Sequence, residues 1–203
     1  MLDAVYSPDA IPTGATFPGV PRPGPAWDAR LRGLITALEA RVPGTADHCL
    51  RVAAQSRIVA CRLGMGPGAV GQVERAASVH DVGKIIVSPG ILEKPRELTR
   101  EEFEEVQRHA LFGARLVDTL GDPVMTAIVR HHHERLDGSG YPDGLRGEKI
   151  PLGARIVAVA DTFDALTSGR TYRDALPPSA AITVLREEAG NTLDADVVAA
   201  FLA

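Results

Sequence analysis

His132-His133-Glu134-Arg135-Leu136-Asp137-Gly138-Ser139-Gly140-Tyr141-Pro142 is the stretch on which the fold turns. Two adjacent imidazoles close a run with helical periodicity, His132 standing four residues after Ile128 and His133 four after Val129. A glycine-punctuated loop follows at once and leads to an aromatic and a proline. Upstream, the pair His80-Asp81, with Gly83-Lys84 directly behind it, supplies a second set of nitrogen and oxygen donors. Imidazole and carboxylate in this combination suit a multinuclear divalent metal site that activates water. Donors drawn from separate helices must project from apolar faces into a shared interior, so the pattern predicts an all-α fold, a helical bundle with a buried metal centre.

The sequence on either side reads as helices separated by Pro and Gly. One helix is expected over about 28–41, ending before Pro43. A second opens near Thr45, carries His48, Val52, Val59 and Leu63 on one face, and stops at Gly64. Pro67 fits the first turn of a third, ending close to His80-Asp81, and Ile85 to Lys94 reads as irregular around Pro89-Gly90. Thr99-Arg100-Glu101-Glu102 is a capping-box pattern that opens a long helix to Leu120, with Gly121 as its stop. On that helix His109 lies three residues beyond Val106 and four before Gly113, whose missing side chain is expected to leave room for a ligand. Asp122-Pro123 starts the helix that runs towards His133. Another follows Pro151 to about Ser168, with Asp161 four residues after Val157 and four before Ala165. Helices near 178–189 and 194–202 close the chain, and strand signals are weak throughout.

Residues 1–26 alternate Pro with Gly and read as a poorly ordered tail, leaving 27–203 as one domain with no receiver or sensor domain ahead of it. The 203 residues are 45% hydrophobic but only 4% aromatic, which predicts an aliphatic core and favours helices over a β-sandwich. The net charge of -4 argues against binding large nucleic acids through a basic surface. A small anionic substrate stays compatible, because bound dications reverse the local sign. Cys49 and Cys61 lie about three turns apart on one helix, too far to bridge, and read as free thiols of a reducing compartment. The chain has neither an apolar run of membrane-spanning length nor a secretory signal, so a cytoplasmic protein is expected.

Each candidate ligand has an ordinary explanation when taken singly. A lone His48 or His109 reads as a satisfied core histidine, Asp161 as a buried capping group, and His80-Asp81 as a common dipeptide. Together they are costly to bury without a shared partner, which favours the metal site. Neighbouring residues on a helix diverge by about 100°, so each pair addresses two ions rather than chelating one. Two-metal hydrolases hold their ions roughly 3.5–4 Å apart, a gap that Asp81 can bridge while imidazoles cap each end. His131 points away from its neighbours. Asp164 and Glu134 read equally as supports of a ligand or as surface carboxylates.

From Ala46 to Leu202 the chain resembles the HD-GYP family, phosphodiesterases that hydrolyse cyclic dinucleotides. The resemblance runs through His48-Cys49-Leu50-Arg51-Val52-Ala53, His80-Asp81-Val82-Gly83-Lys84, Ile91-Leu92-Glu93-Lys94-Pro95, the histidine–Gly140-Tyr141-Pro142 segment, Asp161-Thr162-Phe163-Asp164-Ala165-Leu166-Thr167 and Arg170-Thr171-Tyr172-Arg173. It implies a bundle of the HD-domain type with His48, His80, Asp81, His109, His132, His133 and Asp161 as ligands of divalent iron or manganese. Asp81 and Lys84 would be catalytic, with Lys84, Tyr141, Arg170 and Arg173 binding substrate. Trinuclear members carry a glutamate one turn before the first histidine, where this chain has Gly44, which favours two ions. Thr171 replaces the usual proline. The activity implied is in-line hydrolysis of cyclic di-GMP to linear pGpG, with onward cleavage to GMP the alternative. Cyclic GMP-AMP remains open as a substrate, and a homodimer or a signalling partner as company. The rivals are a catalytically weak cyclic-dinucleotide sensor or protein-interaction module, and an HD-type nucleotidase acting on another phosphoester.

Overall fold

The structure, a computed structural model, describes residues 24–168 and 174–203. The expected tail lies outside the described residues save for 24–26, and there the expectation is corrected, because 25 and 26 already belong to the first helix; Arg170, Thr171 and Arg173 also lie outside the described residues. Nine α-helices occur among the described residues: α1 Pro25–Arg41, α2 Thr45–Arg62, α3 Pro67–Ala77, α4 Pro89–Leu92, α5 Arg100–Asp118, α6 Pro123–His131, α7 Leu152–Thr167, α8 Pro178–Glu188 and α9 Ala195–Leu202. No strand forms among them; the closest approach to one is an isolated bridge between Ala189 and Leu193.

Local chemistry accounts for the boundaries. Thr99 accepts from the Glu102 amide while the Glu102 carboxylate accepts from Thr99 N–H, a complete capping box at the start of α5. Asp122 and Asp194 cap α6 and α9 without the reciprocal bond, each accepting from two amides of the first turn. Helix α3 ends at Ala77, three residues short of His80, because side chains take carbonyls of its last turn: Ser78 Oγ donates to Arg75 O, and His80 Nδ1 donates to Ala77 O. The stretch read as irregular contains a 3₁₀ turn, Val82–Ile86, ahead of the one-turn α4.

Helix α2 packs against α3 and α7, while α5 packs against α6 and the 3₁₀ turn. Val52, Val59, Val73, Val129, Ile156 and Val157 join the core between them. Among the described residues every buried hydrophobic residue is aliphatic apart from Cys49 and Met125, as the scarcity of aromatics implied. Small Val and Ala side chains let the helices approach closely. The closest approach is at Gly83, where a Cβ would lie 1.9 Å from His109 O and 2.6 Å from Gly113 N. That corrects the expectation for Gly113: the space its missing side chain leaves is taken by the Gly83 backbone, 3.2 Å from where its Cβ would be, and by Val129. Trp27 Nε1 donates to Leu120 O and ties α1 across the end of α5. Cys49 is buried and Cys61 exposed, both as free thiols. No helix among the described residues is long and apolar enough to cross a membrane.

Candidate metal centre

Four helices and the turn after α3 deliver imidazoles and carboxylates to one place. His48 comes from α2, His80 and Asp81 from the turn, His109 from α5, His132 and His133 from the end of α6, and Asp161 and Asp164 from α7. Ligand atoms of Asp81, His109, His132 and His133 lie within 4.8 Å of one another, as do those of His48, His80 and Asp81. Asp81 belongs to both groups. Its Oδ1 is 3.4 Å from His109 Nε2, and its Oδ2 is 3.6 Å from His80 Nε2 and 3.7 Å from His48 Nε2. Asp161 Oδ1 closes the second group, 3.2 Å from His48 Nε2 and 3.9 Å from His80 Nε2.

Three of the rings are aimed by their own backbone. His80, His109 and His132 each donate Nδ1–H to the carbonyl three residues earlier, those of Ala77, Val106 and Val129, at 2.6–2.7 Å. A carbonyl only accepts, so each neutral ring keeps a lone pair on Nε2 and turns it inward. His48 is aimed by a side chain: its Nδ1 lies 2.7 Å from Asp164 Oδ2, and Arg51 grips both Asp164 oxygens at 2.7 and 2.9 Å. Such outer partners fix the orientation and tautomer of metal-binding imidazoles.

These residues fit a bound cation. His80 Nε2 and Asp81 Oδ1 are buried and make no hydrogen bond, which costs free energy with nothing to complete them. His109 Nε2 and His132 Nε2 stand 3.3 Å apart with both Nδ1 protons already committed, so two lone pairs face each other. A divalent ion answers both problems. The charge states agree with this. Burial, then the neighbouring imidazoles, hold His132 and His133 well below the ordinary histidine range, and burial draws His109 down to about 4 against the pull of Asp81. Burial works to raise the Asp81 carboxyl, yet the Lys84 ammonium and the imidazoles hold it well below its usual range. His48 and His80 go the other way: burial pulls both down, but Asp161, Asp164 and Asp81 raise His48 to about 9, and Cys49, Asp81 and Asp161 raise His80 to about 9.

The remaining expected residues fall into three sets. Lys84 Nζ pairs with Asp81 Oδ2 at 2.6 Å on the wall of a cleft of about 740 Å³ that opens over His48 and Asp81. The Tyr141 ring rests on His133, centroids 4.8 Å apart and 31° between planes. Arg170 and Arg173 lie outside the described residues. His131 leaves the cluster, its Nε2 2.9 Å from Asp143 Oδ2. Glu134 is no ligand: its oxygens accept from the amides of Asp143 and Leu145 and brace the loop. At Gly44 the backbone is left-handed (φ 82°), and the Glu39 carboxylate accepts from Gly44 N and Ala46 N, so this nearby acid is spent capping α2. Sequence reasoning gave Arg51 no role, although its position three residues after His48 puts both on one helix face.

Fold and ligand geometry together define an all-α domain suited to holding divalent metal. Residues 32–197 match the model of a family described as HD domain. The chain is 43% identical over 175 residues to the cyclic di-GMP phosphodiesterase response regulator RpfG of Xanthomonas campestris, covering 85% of this chain and 46% of that protein. It is 37% identical to the 3'3'-cGAMP-specific phosphodiesterase 3 of Vibrio cholerae, covering 87% of this chain and 39% of the relative. The crystal structure of a cyclic GMP-AMP specific phosphodiesterase from V. cholerae superimposes with a TM-score of 0.57 at 29% identity, covering 90% of this chain and 42% of that one. The chain thus spans less than half the length of these relatives. It belongs to the HD domain family, and the histidine pair running into Gly140-Tyr141-Pro142 makes it a member of the HD-GYP type.

Proposed function

We propose that residues 27–203 form a metal-dependent phosphodiesterase unit that hydrolyses a 3′–5′ phosphodiester of cyclic di-GMP to linear pGpG. The observation that carries this reading is the position of Asp81, whose two oxygens face two separate groups of imidazoles on the floor of a cleft. His48, His80, Asp81 and Asp161 would hold one ion, and Asp81, His109, His132 and His133 the other. Donors of imidazole and carboxylate without thiolate suit iron or manganese. Gly44 in place of a carboxylate favours two ions. When bound, the ions supply acidified water and neutralise the phosphoryl oxygens.

The chain's own groups do the rest. Asp81, kept ionised by Lys84 and the imidazoles, stays an anion across the neutral pH range and would be shared by both groups of donors. The Lys84 ammonium lies at the cleft wall beside Asp81 and is placed to donate to a non-bridging oxygen as charge develops. Tyr141, stacked on His133, limits the movement of that ligand and borders the cluster. The names of the relatives support a cyclic dinucleotide as substrate class, both cyclic di-GMP and cyclic GMP-AMP among them.

Metal analysis of anaerobically purified protein, coupled to identification of products from cyclic di-GMP and from cyclic GMP-AMP, tests this directly. His80→Ala and Asp81→Ala should lose metal and turnover with unchanged helical content by circular dichroism. Full activity in either variant at wild-type metal content overturns the assignment.

A further inference from the structure

Phe103 is the most exposed of the large hydrophobic residues among the described ones, 47% accessible on a helix whose other face is buried. In a chain with five Phe, three Tyr and one Trp, an aromatic left half in water is a conspicuous placement. Its position is as informative as its exposure. Phe103 lines the same cleft as His48, Asp81 and Lys84, and Leu92, Leu98 and Val106 continue an apolar wall there. An aromatic series leads from it to the metal centre: Phe103 meets Tyr141 nearly perpendicularly at 6.2 Å, and Tyr141 meets His133 at 4.8 Å. The cleft thus has ionic chemistry at its floor and a flat apolar patch at its rim. Its volume of about 740 Å³ lies in the range of small-ligand sites.

A nucleotide has that same division, an anionic diester joined to a flat base that every aromatic ring can stack on. We propose that Phe103 is a specificity-determining residue, the platform on which one purine of the ligand stacks while the diester lies at the metal centre. This rests on the cyclic-dinucleotide reading above. The neighbouring cation Lys94 is held in place by Glu102, one residue before Phe103, which keeps a positive charge at the same rim.

The test uses the metal-loaded full chain and Phe103→Ala, Phe103→Leu and Phe103→Trp, with KM and kcat for cyclic di-GMP and its binding constant by calorimetry. Stacking predicts that Ala raises KM and Kd about tenfold, that the loss falls on KM rather than kcat, that Leu fails to restore it, and that Trp does. Metal content by elemental analysis should match wild type in all three. Equal KM and Kd in wild type and Ala, or full rescue by Leu, overturns the platform. Wild type that binds cyclic di-GMP without cleaving it, with binding weakened in Ala and restored in Trp, sinks the hydrolase reading and supports the platform. Wild type that neither binds nor cleaves overturns both.

Discussion

His48 differs from the other candidate ligands in what steers it, and the difference is measurable. Backbone carbonyls three residues back orient His80, His109 and His132, whereas Asp164 orients His48 and is itself clamped by Arg51. In Asp164→Asn the amide can turn an N–H towards Nδ1, which moves the imidazole proton to the nitrogen that must bind the ion. Manganese affinity should fall 10- to 100-fold, with helical content unchanged, and a metal titration followed by circular dichroism checks both. The raised pKa values of His48 and His80, both about 9, fix a pH dependence as well. Below 9 each ring carries a proton that an entering ion would have to displace. Uptake should therefore tighten by about a hundredfold per pH unit from 7 towards 9 and level off above it. Titrations at three pH values suffice, and a flat profile between 7 and 9 contradicts the assignment of His48 and His80. His48, His109, His132 and His133 could be read as inward-facing because each sits at helical spacing from a Val or Ile, whereas His80, in the turn after α3, has no such neighbour. The partner of His48 was not legible: 116 residues separate it from Asp164, and no local pattern joins them.

At the scale of elements, the boundaries read well where chemistry is local. Pro67 and Pro123 start helices, Thr99 completes its capping box, and both C-terminal helices fall within a residue or two of expectation, whereas α1 opens at Pro25 rather than at the expected 28. The 3₁₀ turn Val82–Ile86 was not legible, because tertiary contact decides it: the turn lies so close to α5 that Gly83 admits no side chain. Gly113 was misread for the same reason, since periodicity reports which face is inward and not which atoms meet there. Gly83→Ala would force a Cβ into the His109 carbonyl and push apart the two elements that carry Asp81 and His109. A loss of about 3 kcal/mol is expected, read by urea denaturation, together with reduced metal content at low denaturant. An alanine variant of wild-type stability would show that the turn and α5 have slack.

For the whole molecule, composition predicted the class of fold: few aromatics and many Val and Ala gave helices with an aliphatic core. That donors far apart in sequence share one interior was expected from their apolar faces as well as from the family resemblance, although spacing alone cannot choose how helices are arranged in space. Convergence links metal to stability. Ions held at these residues would engage groups that only the folded chain brings together, so at about 100 times Kd they should add roughly 2.7 kcal/mol. Chelation should then lower the melting temperature by about 5–10 °C, as calorimetry with and without a chelator will show. Unchanged melting would mean that the unfolded chain holds the ions equally well. The two ways of aiming imidazoles have a further consequence. A ring fastened to its own helix keeps its bearing wherever that helix travels, while His48 is correctly set only as long as α2 and α7 stay docked. A disturbance prying those two apart would strip the donor next to Asp161 and spare the Asp81–His109–His132 side, so the centre should fail by halves, with one ion leaving well before the other.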